Sequence, residues 1–399
     1  MNWQSIKNRL SRVWTTIRAE NVCQTTSTEF VPSIGDYFAY DELIYYYMTH
    51  DRSRNAIYKA AINAVVKDKI VLDIGTGQDV ILSRFCVAAG AKRIYAIERS
   101  KRAYLAAQAL VKELGLTDKI HLMLGDSTEV ELPEPVDVCV SELLGTIAGS
   151  EGVAVILNNA RRFLKPDGRM IPERSLTKIA AVALPDELLH RFGFSQSAMR
   201  YVDRIFQAAG HPFDLRVCIR RFPPQCILSN IETFEDLNFN GFVEPEFQHE
   251  IQFTIQQSAK LNGFLLWLEL ITLEPHKIDV LKEDGNWQPV YFPVFYPGVE
   301  VSAGDRLQVT CRATLSDNGI SPDYQLVGKL LKQSGETIEF QYDSLQHREG
   351  FRKTPFYQDF FTTTGARVLE ARSQQSMTDR LRRYRHVARK AMLQLRQQG

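Results

Sequence analysis

The chain lacks most of the features that would quickly assign it a class. Apolar residues never run long enough to span a bilayer, and no short apolar stretch with a basic start opens the chain as a secretion signal. A cytoplasmic protein with no transmembrane segment is therefore expected. The six cysteines (Cys23, Cys86, Cys139, Cys218, Cys226, Cys311) form no C-x-x-C pair, and the eight histidines have no ligand spacing. Zinc spacing and a disulfide framework are absent, no metal is expected, and free thiols in a reducing compartment fit. Neither charge sign is in excess: 48 Lys and Arg against 47 Asp and Glu leave a formal +1, so no global basic excess argues for nucleic acid and none is expected as a partner. There is no phosphate-binding loop, no Ser/His/Asp arrangement, no internal repeat and no low-complexity segment.

A chain of 399 residues is too long for one ordinary core, so two domains with appendages are expected. Residues 1–20 place Trp3, Ile6, Leu10, Val13, Trp14 and Ile17 at helical spacing, an amphipathic helix that docks on the protein's own body or on a membrane surface or partner. Residues 36–66 also look helical. Strand-like runs then appear at Ile70–Ile74, Arg93–Ile97, Lys119–Leu124 and Val136–Val140, with helical patterns at Asp79–Ala89 and Ser100–Leu114 between them. Gly90 fits a C-terminal stop and Ser100 an N-cap. Strand–helix alternation at this spacing means a parallel sheet with crossover helices, a doubly wound α/β domain. Lys165-Pro166-Asp167-Gly168 reads as a turn, after which short strands dominate and suggest an antiparallel sandwich or barrel. A helical insertion at about 186–209 interrupts them. The expected domains are 1–66, 67–173, 174–335 and a C-terminal extension, 336–399. The extension carries a basic amphipathic helix with Met377, Leu381, Tyr384, Ala388, Ala391 and Leu395 along one seam.

The acids and glycines fall at strand ends. Val71-Leu72-Asp73-Ile74-Gly75-Thr76-Gly77 is an apolar strand closing on an acid and two glycines, which let backbone approach a ligand and turn sharply into a helix. A dinucleotide fingerprint needs a third small residue where Val80 stands. Glu98 closes the second strand, where an acid can accept hydrogen bonds from both ribose hydroxyls. Gly125-Asp126-Ser127-Thr128 closes the third. The fourth opens into Ser141-Glu142-Leu143-Leu144-Gly145-Thr146-Ile147-Ala148-Gly149-Ser150-Glu151. Two carboxylates on one loop at the carboxyl end of a strand suit a planar cation with several N–H donors, above all a guanidinium.

This ordered set resembles the class I S-adenosylmethionine methyltransferases, a Rossmann-like fold. From about Tyr37 to about Leu330 the chain resembles one branch, the protein arginine methyltransferases. Met48, Asp51, Arg54 and Tyr58 match the family's N-terminal helix signature, Tyr37-Phe38 its cofactor-covering pair, and Glu142 and Glu151 its paired glutamates. The resemblance implies S-adenosyl-L-methionine as cofactor, leaving as S-adenosyl-L-homocysteine, and an arginine-containing protein or peptide as acceptor. It implies a cofactor site of Tyr37, Phe38, Arg54, Asp73, Gly75, Gly77, Glu98, Ser127 and Thr128, with Arg54 on the carboxylate of the methionine part. Glu142 and Glu151 become the catalytic pair, and Met48, Asn286 and Trp287 face the acceptor. It also implies a β-barrel domain whose helical arm at 186–209 makes a homodimer.

The chain departs from the family pattern at several places. Gln78-Asp79 stands where the family's loop has Thr-Gly, and Asp79 is placed to cap the next helix. Tyr45 and Asn286 replace histidines, and Leu143, Thr146 and Ser150 replace aromatic residues of the paired-glutamate loop. Two other readings follow from these changes. One is a methyl acceptor that is a guanidine or amine of a small molecule or modified peptide. The other is a catalytically silent scaffold that keeps the fold.

Overall fold

The computed structural model describes residues 27–33, 37, 42–283, 285–345 and 354–363. The helices expected at 1–20 and in the basic tail, and Phe38, lie outside the described residues. In chain order the first part comprises β1 (Glu29–Pro32), α1 (Glu42–Thr49), α2 (Arg52–Val65), β2 (Ile70–Ile74), α3 (Ile81–Ala88), β3 (Arg93–Glu98), α4 (Lys101–Glu113), β4 (Ile120–Leu124), β5 (Val136–Ser141), a 3-10 turn at Ala148–Glu151, α5 (Val153–Ala160) and β6 (Leu164–Ile171).

The helical pattern expected over 36–66 is divided because Asp51 is a cap. Its backbone is extended and its Oδ1 accepts from Arg54 N at 3.0 Å, starting α2 afresh. Ser100 caps α4 in the same way, and Gly90 ends the α3 segment at φ +83°. The five strands β4-β3-β2-β5-β6 form a wholly parallel sheet. The central strand β2 is buried at all five positions, which is why it reads as a continuous apolar run. The chain fills one half of the sheet (β2, β3, β4) before crossing to the other (β5, β6), so the switch point lies between β2 and β5. The turn expected at Lys165–Gly168 is instead an excursion inside β6. Leu164 and Arg169 pair with Val136 and Val138, and the residues between leave the ladder on an edge strand, where Pro166 interrupts no central pairing.

The second part is antiparallel: β7 (Arg174–Val182), α6 (Asp186–His190), α7 (Gln196–Ala209), β8 (Val217–Arg220), β9 (Glu232–Asn238), β10 (Phe247–Thr254), β11 (Ala259–Leu261), β12 (Gly263–Leu273), β13 (His276–Asp279), β14 (Val290–Phe292), β15 (Val299–Val301), β16 (Arg306–Leu315), β17 (Pro322–Leu331) and β18 (Thr337–Ser344). Residues 355–363 are helical. A seven-stranded sheet, β1-β8-β14-β12-β7-β9 with β13 on β12, faces the four-stranded sheet β10-β16-β17-β18; β11 and β15 pair separately. Phe264 and Phe292 of the large sheet interleave with Phe253, Leu307 and Leu326 of the small one. Each such buried side chain contributes roughly 1.5–3 kcal/mol. On the large sheet's other face, Trp267 and Tyr291 meet Phe194 and Val202 of the helical insertion and Phe356 and Phe360 of the last helix. The sandwich is therefore what forms, and the sheets close no barrel among the described residues.

β12 joins the two parts. Its second half, Leu268 and Leu270, enters the core of the first domain together with Ile278, Val280 and Trp287. This fixes the loop 285–288 over the carboxyl ends of β2 and β5.

Candidate active site

The loop after β2 is built by its glycines and its acid. Gly75 and Gly77 have φ of +73° and +67°, where a side chain is strained, and Gly75 N and Thr76 N donate to Ile97 O at 3.0 and 3.1 Å. Asp73 lies beneath, fully buried. Its Oδ2 accepts from Thr76 Oγ1 (2.7 Å), Ser83 Oγ (2.5 Å) and Ser83 N (3.1 Å), tying the loop to the first turn of α3. Burial pushes the Asp73 carboxyl up to about 6, against the pull of those donors. The sequence suggested Asp79 as cap of α3, but Val80 holds that place in a left-handed conformation with no side-chain cap bond. Asp79 Oδ2 accepts instead from Thr49 Oγ1 at 2.7 Å, joining the glycine loop to α1.

Glu98, at the end of β3, reaches back to the same loop. Its Oε2 accepts from Gly77 N at 2.9 Å and its Oε1 from Ser100 N at 2.7 Å. Each carboxylate oxygen retains acceptor capacity for a ligand hydroxyl. Across the switch point, Glu142 Oε2 accepts from Arg54 Nη1 at 2.7 Å, with side-chain exposures of 11% and 5% respectively. Burial raises the Glu142 pKa and the Arg54 cation offsets part of that rise. Trp287 supports this wall, its Nε1 donating to Leu144 O at 2.9 Å. Asn286 clasps the helices: its N–H donates to Asp51 Oδ2 (2.8 Å) and its Nδ2 to Tyr47 O (2.9 Å).

These elements enclose a cavity of ≈ 130 Å³ lined by Tyr45, Met48, Arg54, Gly75, Gly77, Glu98, Glu142, Leu143, Leu144, Glu151, Asn286 and Trp287. Both glutamates of the 142–151 loop, the arginine of α2, the glycine loop and the β3 acid thus share one crevice. Asp73 supports it from below. Ser127 and Thr128 do not line it, and the Thr128 hydroxyl is held by Asp126 Oδ1 at 2.7 Å. Tyr37 is also elsewhere: it is buried with Phe213 in the core beneath the helical insertion, and its hydroxyl accepts from Arg216 N at 2.9 Å. Tyr45 was legible only as a replaced histidine. Its ring lies over the glycine loop, with Cε1 3.6 Å from where a Cβ on Gly77 would stand.

A profile of the family described as "PRMT5 arginine-N-methyltransferase" matches residues 17–171. The probable protein arginine N-methyltransferase 6 of Arabidopsis thaliana is 38% identical over 151 residues, 37% of this chain and 34% of that protein. The histone-arginine methyltransferase CARMER of Drosophila yakuba is 40% identical over 244 residues, 56% of this chain and 44% of that protein. Among solved structures, protein arginine methyltransferase 10 of Arabidopsis thaliana, in an open conformation, superposes with a TM-score of 0.64 at 21% identity, covering 77% of this chain and 99% of that one. The Trypanosoma brucei PRMT1 enzyme–prozyme heterotetramer with AdoHcy gives 0.62 at 19% identity, covering 76% and 98%. Residues 17–171 are thus similar to the arginine N-methyltransferases, and the chain shares the fold of the solved protein arginine methyltransferases. It spans only about a third to under a half of the length of these curated relatives.

The residues present fit the carboxylate of a bound amino-acid group. Two buried atoms in this region have no hydrogen-bond partner: Arg54 Nε, a donor, and Asp73 Oδ1, an acceptor. Both side chains act electrostatically on the buried Tyr58 hydroxyl. Arg54 lines the crevice and suits a ligand carboxylate, whereas Asp73, buried beneath the glycine loop and outside the lining, acts by holding that loop. The lining carries one cation, Arg54, against Glu98, Glu142 and Glu151. An excess of negative charge in a partly desolvated crevice favours cationic ligands.

Proposed function

We propose that this chain is an S-adenosyl-L-methionine-dependent N-methyltransferase that acts on arginine guanidinium nitrogen in proteins or peptides. The observation that carries the reading is the convergence of Arg54, Glu98, Glu142 and Glu151 on one crevice at the switch point of the sheet. Arg54 would take the carboxylate of the donor and Glu98 the ribose, while Asp73 would hold the glycine loop beneath the donor's amino-acid end. Ser127 and Thr128 close the neighbouring strand, where adenine would lie, and Phe38 would cover the donor. When bound, the donor supplies a methyl group activated on a sulfonium sulfur.

A guanidinium has no localised lone pair and stays charged below about pH 12. Glu142 and Glu151 hold it by paired hydrogen bonds and draw positive charge toward the nitrogens they touch. The remaining nitrogen gains electron density and is aimed at the donor. Glu151, or a water on it, accepts the departing proton. Met48, Asn286 and Trp287 shape the acceptor side. The test is incubation of the full chain with methyl-labelled donor and an arginine-rich peptide, followed by hydrolysis and amino-acid analysis. Label in methylarginine supports the reading. Label confined to small acceptors supports the alternative of a small guanidine or amine, which the leucine wall at Leu143 and Leu144 favours. No donor binding in calorimetry leaves the silent scaffold.

The insertion at 186–209 stands on the large sheet, and we assign it the dimer arm; sedimentation of the full chain tests this. Among the described residues no helix is long and apolar enough to cross a membrane. Cys86, Cys139, Cys218, Cys226 and Cys311 are free thiols, which fits the cytoplasm.

A further inference from the structure

The turn that carries Glu151 is held by the antiparallel domain. Ala148–Glu151 is a single 3-10 turn with no side-chain cap of its own. Its first amides find partners on β7 and β9: Ala148 N donates to Thr177 Oγ1 at 3.1 Å, and Gly149 N to Glu235 Oε2 at 2.9 Å. Thr177 and Glu235 are direct cross-strand neighbours, and the Thr177 hydroxyl donates to Glu235 Oε2 at 3.2 Å. The other oxygen, Oε1, accepts from Tyr324 Oη of β17 at 3.3 Å. Beyond it lies the buried Arg216 guanidinium, 5.1 Å from the centre of the Tyr324 ring, its Nε donating to Ser344 Oγ at 3.0 Å. Glu235 is 5% exposed, and a carboxylate so deep persists only with a full set of donors. Gly149 is required by the same contact: a Cβ there would lie 2.4 Å from Glu235 Oε1 and 3.1 Å from Tyr324 Oη.

We propose that Glu235 is a positioning residue for Glu151: it anchors the Ala148–Glu151 turn to β7, β9 and β17 and so holds the second acceptor carboxylate at the crevice. The inference rests on the role given to Glu151 under the proposed function. It also means that the sandwich does more than cover the crevice, since a residue of its interior fixes half of the acceptor clamp.

Hydrogen–deuterium exchange on the full chain, together with steady-state kinetics on labelled donor and an arginine-rich peptide, tests this. Glu235→Leu removes both acceptors. It should speed exchange over 147–152 by about tenfold, the effect of losing one buried hydrogen bond, while β12 stays protected. The kcat should fall by about tenfold or more with the donor KM within about twofold. Glu235→Gln keeps an acceptor for Gly149 N and can donate to Tyr324 Oη, so it should restore both readouts to within about threefold of wild type. Should Glu235→Leu fail to fold, Thr177→Val removes the Ala148 acceptor at near-constant shape and should move exchange and kcat in the same direction. Unchanged exchange over 147–152, or a loss of kcat that Glu235→Gln does not restore, overturns the proposal. A wild-type chain that binds no donor overturns the proposed function instead, and the exchange comparison, which needs neither donor nor acceptor, still decides the anchor.

Discussion

Replacing Glu142 by glutamine separates the two functions that meet at the Arg54–Glu142 pair. The structure sets the size of the effect on stability. The pair is 2.7 Å long and nearly buried on both sides, so removing the anion leaves the Arg54 guanidinium without its charge partner. Breaking a buried pair outright costs ~3–5 kcal/mol. Glutamine keeps an oxygen for Nη1, so the charge-assisted bond becomes an ordinary one, and ~2–3 kcal/mol is the expected loss. Spread over the unfolding entropy of 399 residues, that lowers Tm by roughly 2–4 °C. Turnover should fall further, by ~10²–10³, because one of two groups that localise the acceptor's charge has gone. Donor affinity should stay within about threefold or rise, since Arg54 is released toward the donor carboxylate. Methyl transfer to an arginine-rich peptide, donor titration by calorimetry and thermal unfolding measure the three quantities. The pH profile adds a fourth. The Glu142 carboxyl is raised above the ordinary 4.5, so its protonation should contribute to the acid limb of kcat above that value in wild type, and the variant should lose that contribution. Full turnover in Glu142→Gln, with the same acid limb, would refute the clamp.

Three further outcomes are expected. Gly75→Ala places a methyl 2.7 Å from Leu143 Cδ2 at a φ of +73°, so stability should fall by ~1–3 kcal/mol and donor affinity with it, as read by urea unfolding and calorimetry. Asp73 holds its proton up to about 6 when folded against 3.8 ordinarily, so its contribution to stability is full below about pH 4 and is lost as pH rises through about 6, at most ~3 kcal/mol. Asp73→Asn should flatten that slope in unfolding series between pH 4 and 7 and weaken donor binding; an unaltered slope would show that another group titrates there. Trp287→Phe orphans the Leu144 carbonyl while keeping most of the packing, and should cost ~1–3 kcal/mol by thermal unfolding, with a larger loss in kcat than in donor affinity.

The parallel domain was legible because its signals are local. Buried central strands show as apolar runs, and Ser100 and Gly90 mark helix ends by side-chain and backbone chemistry that needs no distant partner. The antiparallel domain was legible only where strands are long. The four-residue strands β1 and β8 pair Glu29–Pro32 with Val217–Arg220, and a pairing across such a separation leaves no mark on either segment. β18 pairs with β17 through a local turn at Gly335 and alternates Ile338, Phe340 and Tyr342, yet the polar residues between them hid it. Glu235 was invisible for a different reason. The β7–β9 register shifts between Thr177 and Lys178, so Phe234 and Glu235 are both buried although adjacent. A bulge breaks the two-residue alternation by which an inward side chain is read, and it turns an acid inward from a segment that reads as an exposed charged strand.

The substituted positions of the crevice show why the donor half and the acceptor half were unequally legible. Glu98 and the glycine loop depend on backbone geometry that the strands themselves impose, so residue type and spacing sufficed to bring them together, whereas Arg54, on α2, was placed there by the resemblance of its helix to the family's. Asn286 stands where the family carries histidine, and an amide cannot take a proton at neutral pH. In the fold it serves as a clasp instead, since its two donors lash the loop above β5 to Asp51 and Tyr47, the corner between α1 and α2. That leaves the carboxylates of the crevice as the groups able to receive a proton from the acceptor. Glu142 is already engaged by Arg54 and Leu144, with its oxygens at 2.7 and 3.4 Å from those donors. On the proposed reading Glu151, on the turn that Thr177 and Glu235 hold, would receive that proton, and the chemistry of the acceptor would then depend on the sandwich as much as on the parallel sheet.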